Sequence, residues 1–383
     1  PQNVTNADRP YEYGSCQNRL SIISTPAGMF YASQNQGKLF TYGEGLQEIS
    51  SKGMKWWFGK FLPYKLLEDF PDYPHTDNPV AGVGIHASYN SYNTVLYFSK
   101  RDFKLRNEYE GELTYDSSTE TFTLTRGETT LTNIILGNPV YFEDASWTLS
   151  YDPKNEFWIS FHDWHPNLFL PSRNVFFTTK EDSIYQHSQG CDTYCNFYGI
   201  DYPFEVELPI ATGQQVNTIR SMEYILECYK RSESNCVDQF HVLDFNFDRA
   251  IVYNTEQTSG ILDLIPYPKN NPFAAQTYPL FATGPDRYEI LFSKEENKYR
   301  FNQFWDITED RGEFTAAEEN IWFTQANGYI KELNPLNLDY NKPVLERKRF
   351  RHYINFLHLS REVSGDTNML LKIVNTKQTY SPR

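Results

Sequence analysis

The stretch WTLSYDPKNEFWISFHDWHP, residues 147–166, predicts the fold class of the whole chain. Two runs within it, Trp147–Tyr151 and Phe157–Phe161, are rich in the aromatic and β-branched residues that favour β-strands. Between the runs stands Asp152-Pro153-Lys154-Asn155, where proline presets a turn dihedral and the Asp and Asn side chains can bond to nearby backbone. The stretch therefore predicts an antiparallel hairpin.

Hairpins of the same kind precede it in the chain. Ile85–Tyr89 is followed by a second strand-like run at Thr94–Ser99, and Glu112–Tyr115 is followed by one at Glu120–Thr125. In each case the first strand ends on Tyr followed by Asp or Asn. Recurring hairpin modules predict a propeller-like domain or an irregular sandwich.

Composition agrees with an all-β protein. The chain has 383 residues, among them 28 Tyr and 28 Phe, and lacks long periodic Leu/Ala runs. Its net charge of −14 argues against a surface that wraps nucleic acid, because such a surface needs a basic footprint. No apolar run approaches the roughly 18 residues of a transmembrane helix.

We predict three segments: an N-terminal arm or the end of a preceding segment at residues 1–20, a hairpin-repeat domain at 21–199, and a second antiparallel β domain at 200–383. In the second domain, Phe240–Phe245 is predicted to pair with Ala250–Tyr253, and a long surface loop is predicted near 256–287. Few helices are expected.

One short helix is predicted within Gly45–Phe58, because Ser50, Met54 and Trp57 fall near helical spacing and Pro63 ends the segment. It is expected to cap the core or, alternatively, to dock a partner.

Two groups of side chains suggest metal ligands, since imidazole and thiolate suit Zn²⁺ and carboxylate suits harder ions. Neither group has the close Cys-x2-Cys spacing of a structural zinc site, and the surroundings of the second are typical of loops. The alternative is hydrogen-bonded corner histidines and buried thiols, and we predict no metal. The two groups are His162, Asp163 and His165, and His187, Cys191 and Cys195.

An acidic run near Trp305 suggests a glycan hydrolase, which needs two carboxylates roughly 5–9.5 Å apart. Acids adjacent on a turn usually face solvent, however, and a neighbouring Arg311 invites ion pairs, so we predict no catalytic residues and no enzyme. A receptor- or carbohydrate-binding module that uses surface Tyr and Trp is a second alternative. The acidic residues are Asp306, Glu309, Asp310 and Glu313.

Five cysteines at irregular spacing do not make a disulfide framework. Cys228 and Cys236 could flank a loop and cross-link, but reduced, buried thiols are the favoured interpretation. The composition fits assembly in a cytosol.

Several phrases resemble the tail muzzle proteins of crAss-like bacteriophages, which cap the distal end of a short tail. The resemblance covers most of residues 30–383, and no initiator Met begins the chain, so we expect the C-terminal part of a longer chain. The phrases are GLQEIS (45–50), SFHDWHP (160–166), CNFYG (195–199), KYRFNQFWD (298–306) and the closing SG (364–365), MLLK (369–372) and SPR (381–383).

The resemblance implies a structural protein of the virion, assembled in the host bacterial cytoplasm. It implies a six-fold or twelve-fold ring of identical chains that contacts neighbouring tail proteins, closes the DNA channel and opens for genome ejection. No catalytic residue or cofactor comes with the family. An acidic balance would suit a DNA conduit that does not hold phosphates.

Overall fold

The computed structural model describes residues 14–43, 45–170, 172, 175–187, 194–211, 216–232, 238–242, 245–260, 262–264, 277–279, 289–302, 304, 306, 322–325, 328–331, 349–361 and 369–381. Antiparallel strands dominate these residues, and the described helices are short. The predicted all-β class is therefore confirmed.

The chain divides into two compact units, Pro1–Gln189 and Gly190–Arg383, here called unit 1 and unit 2. The predicted domains divide after residue 199 instead. The described end of the predicted N-terminal arm, residues 14–20, belongs to the packing of unit 1. Asn18 is buried there, and its Oδ1 accepts hydrogen bonds from the Tyr64 hydroxyl at 2.5 Å and the Ile85 amide at 3.2 Å.

The described part of unit 1 contains two α-helices and sixteen strands. The helices are α1 (Lys55–Phe61) and α2 (Leu66–Asp69), and 3-10 turns lie at Arg19–Ser21, Gln34–Gln36 and Asn107–Tyr109. The strands are β1 (Ile23–Thr25), β2 (Gly28–Ser33), β3 (Lys38–Tyr42), β4 (Leu46–Glu48), β5 (Gly84–Asn90), β6 (Val95–Arg101), β7 (Phe103–Leu105), β8 (Leu113–Asp116), β9 (Thr121–Arg126), β10 (Thr129–Ile134), β11 (Phe142–Asp144), β12 (Trp147–Asp152), β13 (Phe157–His162), β14 (Leu168–Leu170), β15 (Phe176–Lys180) and β16 (Ser183–His187).

The three predicted hairpins all form, as β5–β6, β8–β9 and β12–β13. Two of them join, because β6 pairs with β12, in a four-stranded sheet of order β13-β12-β6-β5 that we call the central sheet. These two predicted modules are thus parts of one sheet and not separate blades. The other sheets are β1-β2-β3-β4, β10-β9-β8, β11-β7 and β14-β15-β16, the last of which we call the outer sheet.

One face of the central sheet packs on an aromatic core. Phe30 from β2 meets Tyr151 from β12 with ring centroids 6.1 Å apart, and Phe58 from α1 meets Trp158 from β13 at 4.8 Å. Helix α1 caps this core with buried Trp57 and Phe58. The predicted helix is shorter than expected, because Leu46–Glu48 pairs with β3 as a strand and α1 begins only at Lys55.

The strands of unit 2 are β17 (Asn196–Phe197), β18 (Ile200–Asp201), β19 (Phe204–Ala211), β20 (Asn217–Arg231), β21 (Gln239–His241), β22 (Arg249–Tyr253), β23 (Leu262–Asp263), β24 (Thr277–Pro279), β25 (Glu289–Glu295), β26 (Lys298–Asn302), β27 (Trp322–Gln325), β28 (Gly328–Lys331), β29 (Arg351–His352), β30 (Ile354–Arg361) and β31 (Met369–Ser381). One sheet has the order β19-β30-β22-β23. A larger sheet runs β21-β20-β26-β25-β24, with β29 and β31 also paired to β20.

Long-range pairing replaces one predicted hairpin of unit 2. The prediction that Phe240–Phe245 pairs with Ala250–Tyr253 is wrong, because β21 pairs with β20 whereas β22 lies between β30 and β23. The predicted surface loop near 256–287 is exposed at Glu256, but Ser259 and Leu262 within it are buried. Its remaining described part, Thr277–Pro279, is a strand paired with β25.

Among the described residues, no helix has both the length and the apolar character needed to span a membrane.

Candidate functional site

The second face of the central sheet carries a buried polar layer. In β5, Ile85 points toward the aromatic core, whereas His86 and Ser88 lie on the opposite face and are buried. Ser99 in β6 and Thr148 in β12 lie on the same opposite face, because side chains alternate along a strand. Four of the eight histidines of the chain belong to this region: His86, His162, His165 and His187. We call these residues and their hydroxyl partners the histidine layer.

A chain of hydroxyl groups crosses two strands and ends on an imidazole. The Ser99 hydroxyl lies 2.9 Å from the Thr148 hydroxyl, and Thr148 Oγ1 lies 3.1 Å from His165 Nδ1. The strand register explains the first contact, because Thr148 faces Ser99 directly across the β12–β6 pair. The corner that follows β13 thus folds His165 back over the sheet.

The second imidazole of the corner has its own hydroxyl partner. His162 Nε2 and Ser150 Oγ are 3.0 Å apart and share a hydrogen bond across the β12–β13 pair. The His162 ring also contacts Tyr97 and Trp164, with centroid distances of 5.5 and 5.3 Å. His162 is therefore held by one hydrogen bond and by aromatic packing.

The outer sheet completes the layer from the other side. His86 packs against Phe169 of β14 with ring centroids 4.6 Å apart, and Tyr97 stacks on Phe176 of β15 at 5.1 Å. Within the outer sheet, Thr178 Oγ1 lies 2.6 Å from His187 Nε2.

One lysine also joins the outer sheet to the corner. The Lys180 ammonium donates a hydrogen bond of 2.9 Å to the His165 carbonyl. Polar and aromatic contacts therefore hold the outer sheet on the central sheet.

Burial favours the neutral form of three histidines of the layer, His86, His162 and His165. It lowers the pKa of His86 to about 3, partly opposed by the nearby Pro166 carbonyl, although neither ring nitrogen of His86 reaches hydrogen-bond geometry. It lowers the pKa of His162 to about 4, and the proximity of His165 adds to that shift. The pKa of His165 is also lowered by burial, against the opposing effect of the Asp144 carboxylate. At neutral pH these three side chains carry no charge.

The candidate metal ligands do not converge on one point. Among the described residues, no three His, Cys, Asp or Glu side chains come together in a way that could hold a metal ion. His162 and His165 are bonded to hydroxyl groups, and Asp163 between them is exposed. His187 is bonded to Thr178, whereas Cys191 lies outside the described residues.

The Ser150–His162 pair has the distance of a nucleophile and its base, but its surroundings do not suit that chemistry. Catalysis by such a pair needs a hydroxyl that a substrate can reach. The Ser150 side chain is buried between two sheets, and Thr148, bonded to His165, is buried as well. The layer therefore acts chemically as an internal hydrogen-bond network.

Among the acids of the suggested hydrolase site, Asp306 is described, and it is buried rather than facing solvent as expected. Its Oδ2 accepts from the Gln257 side-chain amide, and its Oδ1 accepts from the Thr258 backbone amide, both at 3.2 Å. Asp306 thus anchors the turn after β22. Glu309, Asp310 and Glu313 lie outside the described residues.

Two of the three described free thiols have a raised pKa. Cys228 is free and buried, and it donates a hydrogen bond of 3.0 Å to the Phe245 carbonyl. Burial raises the pKa of Cys228 and of Cys195 to about 11, which leaves both protonated at neutral pH. Cys236 lies outside the described residues.

Comparison of the chain with protein-family models finds no match, and neither does comparison with curated proteins.

Sequence reasoning singled out the corner histidines but missed their partners His86, Ser99, Thr148 and Ser150. A signal was present in β5 and β12, where the apolar residues of one face alternate with imidazole and small hydroxyl groups instead of Lys or Glu. Small polar side chains on the second face of an otherwise apolar strand indicate that this face is also covered.

Proposed function

We propose that this chain is a non-enzymatic structural protein of the tail of a crAss-like bacteriophage. In this proposal copies of the chain form a symmetric ring at the distal end of the short tail. The ring closes the DNA channel and opens for genome ejection. The resemblance of the aromatic phrases to tail muzzle proteins suggests this setting, and the surface of unit 1 supports the assembly.

The observation that carries the proposal is the exposure of large apolar side chains on terminal strands of sheets. β13 ends the central sheet, and its Phe157 and Ile159 are 49% and 44% exposed. β16 ends the outer sheet, and its Ile184 is 68% exposed. Apolar terminal strands without charged or proline residues invite contact with another chain, since natural proteins usually protect such edges. A neighbouring subunit would cover them in a ring.

A binding module for a receptor or a carbohydrate is the second candidate. Trp56 on α1 is 73% exposed and Tyr92 in the β5–β6 turn is 76% exposed, so each offers a ring for stacking. Trp56 already lies beside the Lys60 ammonium, which is 5.1 Å from its ring centroid. The two rings stand on different elements, and a platform of several adjacent rings would favour this candidate more strongly.

The test is the mass and symmetry of the native assembly, measured by imaging intact particles and by mass measurement of the purified protein. We expect a closed ring of this chain at a tail tip. A monomer that binds glycans on a panel would favour the binding module. A monomer that cleaves glycans would favour the hydrolase and return attention to Asp306, Glu309 and Glu313.

A further inference from the structure

The two faces of the central sheet are covered in chemically different ways. The inner face packs on a large cluster of buried aromatic and aliphatic side chains, to which Leu96, Phe98 and Leu149 contribute. The outer face meets the outer sheet through the histidine layer. Three buried rings on the outer side do not belong to that large cluster: Trp164, Phe169 and Phe176. Imidazole rings therefore take part in the contacts of the outer sheet, with His86 against Phe169 and His187 against Trp164.

We propose that the histidine layer is an acid-sensitive joint, at which protonation of its imidazoles releases the outer sheet (β14–β16) from the central sheet while the aromatic core stays packed. This inference rests on the interface between two sheets of unit 1 and not on the tail-assembly proposal. The segment released is the last sheet of unit 1 in chain order, because β16 ends at His187 and the unit ends at Gln189.

The titratable groups that face the layer come from both sheets and from the corner between them. His86 comes from β5 and Tyr97 from β6, while β12 supplies only the hydroxyls of Thr148 and Ser150 to the bonds described. From the outer sheet come Lys180 on β15 and His187 on β16.

Two carboxylates act near the corner. Asp144 and Asp163 favour the protonated form of His165, whereas Lys180 opposes it. A charge on His162 is opposed by a charge on His165. Proton uptake therefore places two positive charges close together in a partly buried space. Separation of the sheets would lower their repulsion and return both charges to water.

The direction of the pH effect follows from linkage. The pKa of His162 is about 4 in the closed state and about 6.5 when the side chain is exposed to water. Between these values the open state binds one more proton than the closed state. The opening constant is the equilibrium constant for separation of the outer sheet from the central sheet. Each histidine that behaves in this way should raise it about tenfold when the pH falls by one unit. Above about pH 6.5 the opening constant no longer depends on the protonation of these histidines.

The test is hydrogen exchange of the full chain at several pH values between 7.5 and 4.5, read by mass spectrometry and corrected for the intrinsic pH dependence of amide exchange. We expect peptides from Leu168–His187 to lose protection at least about tenfold per pH unit below about 6.5. Peptides that cover β2–β3 and β8–β9, on the aromatic core, should keep their protection over the same range. Trp164 fluorescence supplies a second readout, since this buried ring lies 5.9 Å from the His187 ring.

Two substitutions remove the titrating groups while retaining a polar partner for each hydroxyl. His162→Gln keeps a nitrogen near the position of Nε2 beside Ser150, and His165→Asn keeps one near Nδ1 beside Thr148. Each substitution should remove one titrating group, so the opening constant should rise about tenfold less steeply per pH unit than in the wild type. His358→Gln is the matched control, because His358 is also buried but belongs to unit 2. It should leave exchange in the outer sheet unchanged.

Three results would overturn the proposal. The first is full protection of the outer sheet down to pH 4.5, and the second is loss of its protection together with the aromatic core in a single transition. The third is an unchanged pH dependence in a double variant, His162→Gln with His165→Asn, that is folded at pH 7.5. If the double variant does not fold, the single variants and the wild-type exchange profile decide the question.

Discussion

Lys100 and Asp102 form an ion pair that is fully excluded from solvent, with Nζ 2.6 Å from Oδ2. The lysine also donates hydrogen bonds of 2.8 Å to the carbonyls of Phe61 and Pro63, at the end of α1. The aspartate accepts from the backbone amides of Lys65 and Leu66, at the start of α2. One buried pair on the central sheet thus fixes both helices of unit 1.

Asp102→Asn should destabilise unit 1 by about 3–5 kcal/mol, because it leaves the Lys100 ammonium buried without a counter-charge. Burial already lowers the pKa of Lys100, and the Asp102 carboxylate opposes that shift. Urea unfolding measures the change. Glu143→Gln is the control, since it breaks the exposed pair with Arg106 and should cost about 1 kcal/mol or less. Equal effects of the two changes would contradict the structural role of the buried pair.

Gly37→Ala should destabilise unit 1 for two reasons, the positive φ of this residue and a close contact of the added Cβ with α1. Gly37 has φ +63°, and an added Cβ would stand 2.8 Å from Gly59 Cα and 2.9 Å from the Phe58 carbonyl oxygen in α1. Gly111→Ala is the matched control, because it has φ +76° with open space around it and should cost about 1–2 kcal/mol. The difference between the two unfolding free energies measures the close contact of the β2–β3 turn with α1. A difference of zero would show that α1 can move away freely.

The stability of unit 2 should fall in acid through His358 on β30. Burial lowers the pKa of this side chain to about 4. The contribution of neutral His358 to the free energy of unfolding is therefore fully present above about pH 6.5 and is lost as the pH falls toward 4. Over that range the loss is about 3 kcal/mol. His358→Gln should flatten the pH dependence of unit 2 unfolding, whereas substitution of the partly exposed His75 in unit 1 should not. An unchanged profile in H358Q would contradict this assignment.

Phe157→Lys combined with Ile159→Lys should weaken self-association if β13 meets another subunit. Both side chains are already partly exposed, so the fold of the monomer should be retained, and placing lysines on the terminal strand should repel a partner. Sedimentation velocity measures the assembly. Trp56→Lys is the control, since Trp56 is exposed on α1 and not on a sheet edge. If self-association persists in the double variant but is lost in W56K, the interface lies on α1 and not on β13.

The local elements of this protein were largely predictable from the sequence. The Asp152-Pro153-Lys154-Asn155 turn indicated the β12–β13 hairpin, and the structure shows why, since Asp152 Oδ1 accepts from the amides of Lys154 and Asn155 at 2.8 and 2.9 Å. Period-two patterning likewise indicated β5–β6 and β8–β9. Turn chemistry and alternation act over a few residues, so they can be read from neighbouring positions.

Tertiary structure alone decided how these hairpins combine and what covers them. Nothing in the neighbouring residues indicates that β6 pairs with β12, that β22 lies beside β30, or that Asp306 turns inward to Gln257. Such pairings depend on which distant segments together bury the most apolar surface and satisfy the most polar groups. The histidine layer illustrates this difference. The sequence placed His162 and His165 at a corner, but only the packing of a second sheet brought His86 and His187 to the same layer.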